Sequence, residues 1–233
     1  MESTLRAPET VTGQRQTLSL IGKAVFLVSG GIDSPVSAWL LIRKGTQPTF
    51  AYFYNYPLCD QAAEGIALET VKRVCQRAGL YNSRMYVVSH SPDLQAILSK
   101  CPTRFACILS RRMMFRVAER LAEREGCQAI VTGDAIGQKA SQTLQNIVAA
   151  DCVLKKVAVL RPLVGMNKLQ IVRYAKEIGT YDISIRPGVA SCGVPTDNPS
   201  TSARMSQLEE VEAALNIDEM VENDLKNARV LTI

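Results

Sequence analysis

Histidine is nearly missing from this sequence: His90 is the single one in 233 residues. A Ser-His-Asp or Cys-His catalytic pair would have to use that ring, and nothing in its sequence neighbourhood encourages such a role. Paired cysteines are missing as well. The seven cysteines, Cys59, Cys75, Cys101, Cys107, Cys127, Cys152 and Cys192, form an odd set with no Cys-x-x-Cys spacing. A self-contained zinc ribbon therefore lacks ligands, and a disulfide framework is not expected. Cys75, Cys127 and Cys152 sit among core-like residues and read as small buried hydrophobes. No apolar run approaches the ~18 residues of a membrane span. The polar stretch from Met1 to Gln16 has no apolar centre of the kind a secretion signal needs. A cytoplasmic protein with no membrane partner is expected. Internal repeats and low-complexity tracts are also lacking.

The composition, 47% hydrophobic and 21% charged, is that of a globular chain and excludes wholesale disorder. Its formal charge of +5 admits nucleic acid as a partner without demanding it. Basic residues crowd the segment around Arg111, Arg112, Arg116 and Arg120, and acidic ones the segment around Glu209, Glu212 and Glu222. Both read mostly as solvated helix faces, with Arg111 and Arg112 set apart for the reasons below.

Short β-branched runs alternate with longer amphipathic ones. Strands are predicted at Lys23 to Val28, Gln47 to Tyr54, Met85 to Ser89, Gln128 to Thr132 and Val157 to Leu160. Helices are predicted at about Pro35 to Lys44, Gln61 to Ala78, Arg104 to Glu125 and Lys168 to Ile178, the last stopping at Gly179. Leu109, Met113, Val117 and Leu121 give the third helix an apolar stripe. Residues 1–20 read as a tail, 21–233 as one domain, and Gly179 to Ser202 as a long loop. Strands alternating with helices through short connections imply a doubly wound α/β fold: a parallel sheet covered on both faces, with ligands bound beyond the carboxyl ends of its strands.

The most specific string is Ser29-Gly30-Gly31-Ile32-Asp33-Ser34, between the first strand and the first helix. Glycines let a backbone approach an anion, and free N–H groups at a helix start point toward it. Ser29 and Ser34 add hydroxyl donors. A carboxylate there would repel phosphate directly, so Asp33 suits a Mg²⁺ ion bridging phosphate oxygens. The Gly-Lys-Ser/Thr ending of a Walker loop is absent. The string resembles the PP-loop of ATP pyrophosphatases, which split ATP between its α and β phosphates and activate a substrate oxygen as its adenylate.

Other stretches fall on the same expected rim. After the strand ending at Thr132, Gly133 leaves room for a nucleotide, while Gln138, Ser141 and Gln142 offer neutral groups suited to a base or ribose; a loop with polar caps would look similar. Lys168 opens a helix, where its charge opposes the dipole unless an anion is close. Cys192 lies in a glycine-containing loop, and Cys107 at the start of the Arg-rich helix, where dipole and arginines favour a thiolate. By residue chemistry alone either cysteine reads as structural rather than catalytic.

Taken in order, these stretches resemble the adenylation domain of the ThiI family, the tRNA sulfurtransferases that make 4-thiouridine. The resemblance runs through Leu27 to Ser34, Arg111-Arg112-Met113-Met114, Thr132 to Gln138 with Ser141 to Leu144, Leu160 to Leu163 with Lys168, and Ser191 to Val194, or roughly residues 23–215. It implies a three-layer PP-loop ATPase fold of the adenine nucleotide alpha hydrolase-like type. It also implies nucleotide contacts from Leu27, Val28, Ser29, Gly30, Gly31, Ser34, Arg111, Arg112, Gly133, Gln138 and Gln142. Asp33 and Lys168 match the polar residues of adenylation, and Cys192 matches the persulfide-bearing cysteine. The implied cofactors are ATP and Mg²⁺, and the implied substrate is tRNA, reached through a separate RNA-binding subunit, or a related acceptor. A cysteine desulfurase or sulfide would supply the sulfur, and a homodimer is compatible. THUMP, ferredoxin-like and rhodanese regions have no counterpart in this sequence. The second cysteine of bacterial members falls near Ala51. Archaeal-type members carry Cys-x-x-Cys before the Arg-Met-Met run, where Cys107 matches the first position and Ser110 stands at the second. Cys107 is thus the candidate partner of Cys192, and an iron–sulfur cluster is not expected. Two alternatives share the ATP site: a PP-loop ligase using amide or ammonia chemistry, and a non-catalytic ATP-binding subunit.

Overall fold

The computed structural model describes residues 22–137, 139–188, 194 and 198–233. The expected tail, Gln138 and Cys192 lie outside the described residues. In chain order the elements are β1 (Lys23–Val28), α1 (Asp33–Ile42), β2 (Gln47–Tyr54), α2 (Ala62–Ala78), β3 (Arg84–Ser89), α3 (Ser91–Lys100) and α4 (Ala106–Glu125). They continue with β4 (Ala129–Val131), α5 (Leu144–Asp151), β5 (Ala158–Leu160), α6 (Lys168–Ile178), α7 (Tyr181–Ser184), α8 (Met205–Glu212), α9 (Ile217–Asn227) and β6 (Arg229–Thr232).

The strands form one sheet in the order β5-β4-β1-β2-β3-β6. The first five are parallel, with Phe26 of β1 level with Phe50 of β2 and Val131 of β4. Side chains alternate across the sheet because successive Cβ atoms in a strand point to opposite faces. Ala24, Phe26, Val28, Phe50 and Tyr52 pack with α1, α2 and α6, whereas Val25, Ala51, Phe53 and Ile130 pack with α3, α4, α5, α8 and α9. Both faces are covered, so the strands carry almost unbroken apolar runs. Leu109, Met113, Val117 and Leu121 of α4 are all buried. Helix α6 begins at a reciprocal cap between Asn167 and Gln170 and ends where Gly179 turns left-handed at φ 85°.

The sheet is not wholly parallel: β6 runs antiparallel to β3 and closes that edge. Four residues long, it is a short strand on an otherwise parallel sheet, an arrangement common in doubly wound folds. The expected loop from Gly179 onward holds α7, and α3, α5, α8 and α9 were not legible. Helix α5 has eight residues and leaves Leu144 and Val148 exposed, which blurs its periodicity. The acidic C-terminal segment is no simple solvated face, because α8 and α9 bury Glu212 and Asp224 against the rest of the molecule. Cys75 and Cys127 are buried as expected, but Cys152, just past α5, is exposed. No helix among the described residues is long and apolar enough to cross a membrane.

Candidate functional site

From β1 the chain moves to β2 on one side, and β4 later fills the other side. The loops leaving β1 and β4 therefore part at the carboxyl end of the sheet, the usual crevice of such folds. A cavity of about 540 Å³ opens there, within the roughly 300–1,000 Å³ typical of small-molecule sites. Leu27, Val28, Ser29, Gly31, Asp33 and Ser34 form one wall, and Cys107, Ser110, Arg111, Met114 and Phe115 of α4 another. Thr132, Gly133, Asp134 and the segment from Lys139 to Gln142 complete it, joined by Val194 and Pro199.

The loop after β1 is stapled by its own serines. Ser29 N–H donates to Ser34 Oγ at 2.8 Å, and Gly31 N–H donates to Ser29 Oγ at 3.3 Å. The Ser34 hydroxyl also donates to the Ser29 carbonyl at 3.2 Å, while Ser34 itself lines the cavity. Gly30 faces away from the cavity, where an added Cβ would lie 3.0 Å from Ile66. Helix α1 starts without a side-chain cap, so its first N–H groups are left for an anion. Gly133 lines the cavity and has a second, structural part. A Cβ there would come within 2.7 Å of the Ser34 N and Cα atoms, so its missing side chain lets the β4 loop lie on the start of α1.

The charges are organised in two groups. Lys168 Nζ donates to Asp33 Oδ1 at 2.5 Å, so the anion that offsets the helix dipole at Lys168 is Asp33 itself. At the cavity wall, the buried Asp134 carboxylate accepts hydrogen bonds from Arg111, from the Thr132 hydroxyl at 2.7 Å and from Arg161 Nε at 3.2 Å. Burial would push the Asp134 carboxyl up, but Arg111, Thr132 and Arg161 together hold it below the usual carboxylate range. Arg161 also grips Asp151 at 2.5 and 2.8 Å, tying β5 to α5. Arg111 is thereby held across the Phe115 ring. Two buried atoms in this wall, Arg111 Nε and Gln142 Oε1, have no partner among the described residues. One is a donor and the other an acceptor, as a nucleotide would require.

Of the expected site residues, Arg112 is displaced. One position on from Arg111, it faces the other side of α4, where Nε and Nη2 pair with Glu212 at 2.8 and 2.7 Å and Nη1 donates to the Ala149 carbonyl and Cys152 Sγ. A 100° step around a helix puts neighbouring residues on different faces, and Arg112 is an internal tie rather than a nucleotide contact. The hollow it lines is larger, about 670 Å³, but Arg112 and Arg116 there are paired with Glu212 and Lys156 with Glu123, and it lacks a phosphate loop. The structure also surrounds His90 with partners that lie apart in sequence. Its Nε2 is 2.8 Å from Ser110 Oγ, and its Nδ1 is 3.0 Å from Asp93 Oδ2. Only the i,i+3 spacing of His90 and Asp93 could have hinted at this. Gln138 and Cys192 lie outside the described residues; Val194, two positions after Cys192, lines the cavity.

The model of the ThiI family, described as thiamine biosynthesis protein (ThiI), matches residues 19–217. A "Probable tRNA sulfurtransferase" of Acetivibrio thermocellus is 38% identical over 216 residues, which cover 91% of this chain and 54% of that protein. One of the same description from Methanosarcina mazei is 34% identical, over 91% of this chain and 52% of that protein. The chain thus spans about half the length of the curated relatives it matches. A crystal structure of a 4-thiouridine synthetase–RNA complex with bound ATP superposes with a TM-score of 0.82 at 36% identity, over 91% of this chain and 55% of that one. An NMN synthetase from Francisella tularensis, at 16% identity and a TM-score of 0.53, shares the fold.

Proposed function

The chain belongs to the ThiI family, and from that premise we propose that it is an ATP-dependent sulfurtransferase that adenylates a uridine of tRNA and forms 4-thiouridine. The observation that carries this reading is a thiol and a phosphate loop on facing walls of one cavity: Cys107 on α4, and Ser29 to Ser34 opposite. A PP-loop ligase of amide chemistry has no use for the thiol.

In this reading the triphosphate lies against the Ser29–Ser34 loop and the uncapped start of α1. Arg111 Nε and Gln142 Oε1 meet the nucleotide. A single carboxylate beside a phosphate loop fits Mg²⁺, which binds through one or two carboxylates plus substrate phosphates and water. Asp33 would hold the ion, which supplies charge neutralisation at the phosphates. Lys168, already at Asp33, stabilises the charge that develops on the departing pyrophosphate. The uridine C4 oxygen attacks the α phosphorus, the bond to the bridging oxygen breaks, and pyrophosphate leaves. A persulfide on Cys192 then attacks C4 and displaces AMP. Attack by the Cys107 thiolate on the Cys192 sulfur releases 4-thiouridine and leaves a Cys107–Cys192 disulfide, which an external thiol reduces. A cysteine desulfurase passes the outer sulfur of its own persulfide to the Cys192 thiol, in the cytoplasm. Sulfide would instead attack Cys192 in the Cys107–Cys192 disulfide, which serves as the oxidant and leaves the Cys192 persulfide and the Cys107 thiol.

Mass spectrometry of nucleosides from tRNA incubated with the protein, Mg-ATP and a persulfide source tests the reading. Thiolated uridine is expected with the wild type and not with Cys192→Ser or Asp33→Asn. Pyrophosphate release with no thiolated nucleoside, or thiolation indifferent to Cys192, would overturn it.

A further inference from the structure

A hydrogen-bonded chain leads from the cavity into the core on the α4 side of the sheet. Ser110 lines the cavity and touches His90 Nε2 at 2.8 Å. His90, fully buried at the start of α3, meets Asp93 Oδ2 through Nδ1 at 3.0 Å. Asp224 of α9 packs against Asp93. The Phe53 ring of β2 packs T-shaped against the imidazole, the two centroids 5.6 Å apart. Among the described residues no lysine or arginine pairs with Asp93 or Asp224. Arg111, next to Ser110 on α4, is turned to Asp134. One imidazole and two carboxyl groups thus face one another with no lysine or arginine paired to them among the described residues, so protons must be shared among them.

Burial, and then the hydrogen bond to Asp93, pushes the Asp224 carboxyl up, so the buried contact between these two carboxyl groups favours a proton held between them. Asp93 Oδ2, 3.0 Å from His90 Nδ1, is placed to accept from the ring in its Nδ1–H tautomer. That tautomer leaves the Nε2 lone pair directed at the Ser110 hydroxyl. A histidine oriented by a carboxylate with its second nitrogen turned to a hydroxyl in a cavity is the arrangement of a base. Cys107 stands one helical turn before Ser110, and both line the cavity. Residues three apart on a helix are neighbours on its surface.

We propose that Ser110, His90 and Asp93 form a proton relay serving Cys107. The Cys107 Sγ–H bond breaks and its proton passes to Ser110 Oγ as the Ser110 proton moves to His90 Nε2. The products are a thiolate in the cavity and an imidazolium held against Asp93. Ser110 is the contact residue, and His90 and Asp93 act through it. The relay deepens the proposed function, since it supplies the thiolate that attacks Cys192, and it rests on the role given there to Cys107. The thiol itself can be read without any sulfur transfer, so the two ideas fail separately.

The test is the pH dependence of Cys107 alkylation by iodoacetamide in the full chain, followed peptide by peptide by mass spectrometry. Cys152, exposed and bonded to Arg112 outside the cavity, serves as internal reference. In His90→Gln and in the milder Ser110→Ala, Cys107 should react about tenfold more slowly near neutral pH, as for a rise of one pKa unit. Its inflection should move up while Cys152 is unchanged. The wild-type profile should also survive a chelator. Equal profiles in wild type and a folded Ser110→Ala protein would overturn the proposal. So would a profile that the chelator abolishes, because a cation at His90, Asp93 and Asp224 would leave no base.

Discussion

Gly133 is held as glycine by a contact and not by a torsion angle. An alanine methyl 2.7 Å from the Ser34 backbone must move either the β4 loop or the first turn of α1, and overpacking of this kind costs about 1–3 kcal/mol. Gly133→Ala should therefore lower stability in urea by that amount and reduce ATP-dependent pyrophosphate release by more than the stability loss explains. Asp134 permits a prediction with a sign. Its folded-state pKa lies below the unfolded one, so its stabilising contribution is complete above the ordinary carboxylate value of about 3.9 and disappears as pH falls through the folded value. Asp134→Asn should cost about 2–3 kcal/mol at neutral pH. The gap from wild type should close in acid, as followed by urea denaturation across pH. Those residues were unequally legible. Asp33 and Lys168 were readable as charges needing opposite partners, whereas the unpartnered atoms of Arg111 and Gln142 exist only once α4 and the β4 loop face each other.

At the scale of elements, α8 is tied to α4 by one carboxylate. Glu212 is buried, which would raise its pKa, but the hydrogen bonds from Arg116 and Arg112 outweigh that and hold it low. Replacing Glu212 by Ala would leave the buried Arg112 guanidinium without its counter-charge, a change that typically costs roughly 3–5 kcal/mol. Chemical denaturation of Glu212→Ala should show that loss, and ATP affinity should stay near wild type because the tie lies outside the cavity proposed for ATP. Helix α9 behaves in the opposite sense with pH. The Asp224 pKa is raised in the folded state, so its contribution is present in acid and is lost as pH rises toward about 9. Between neutral pH and that value, Asp224→Asn should lose less stability than wild type. Neither tie could be read from the sequence. The basic segment of α4 and the acidic residues of α8 and α9 lie about a hundred positions apart, and unpaired they look like two solvated faces.

For the whole molecule, ATP bound only by the folded chain raises its stability by mass action. At a hundredfold excess over Kd the gain is about 2.7 kcal/mol, which for a domain of this size raises Tm by roughly 5–10 °C. A thermal melt with Mg-ATP should show that rise, and Asp33→Asn should diminish it. The mild positive charge makes any tRNA complex of this chain sensitive to salt, so its affinity should fall steadily as salt is raised in a filter-binding titration.

What the sequence determined by itself was local. Alternating apolar runs specify strands and helices, the glycine-serine string after β1 specifies a tight loop into α1, and Gly179 specifies where α6 stops. Each of these depends on residues within one or two turns of each other. What only the tertiary structure decided were pairings across the chain. The antiparallel edge β6, the turn of Arg112 away from Arg111, the reason Gly133 must be glycine, and the alignment of Asp224, Asp93, His90 and Ser110 all belong here. They depend on which faces meet when the helices close over the sheet, and no local pattern encodes a contact between segments so far apart.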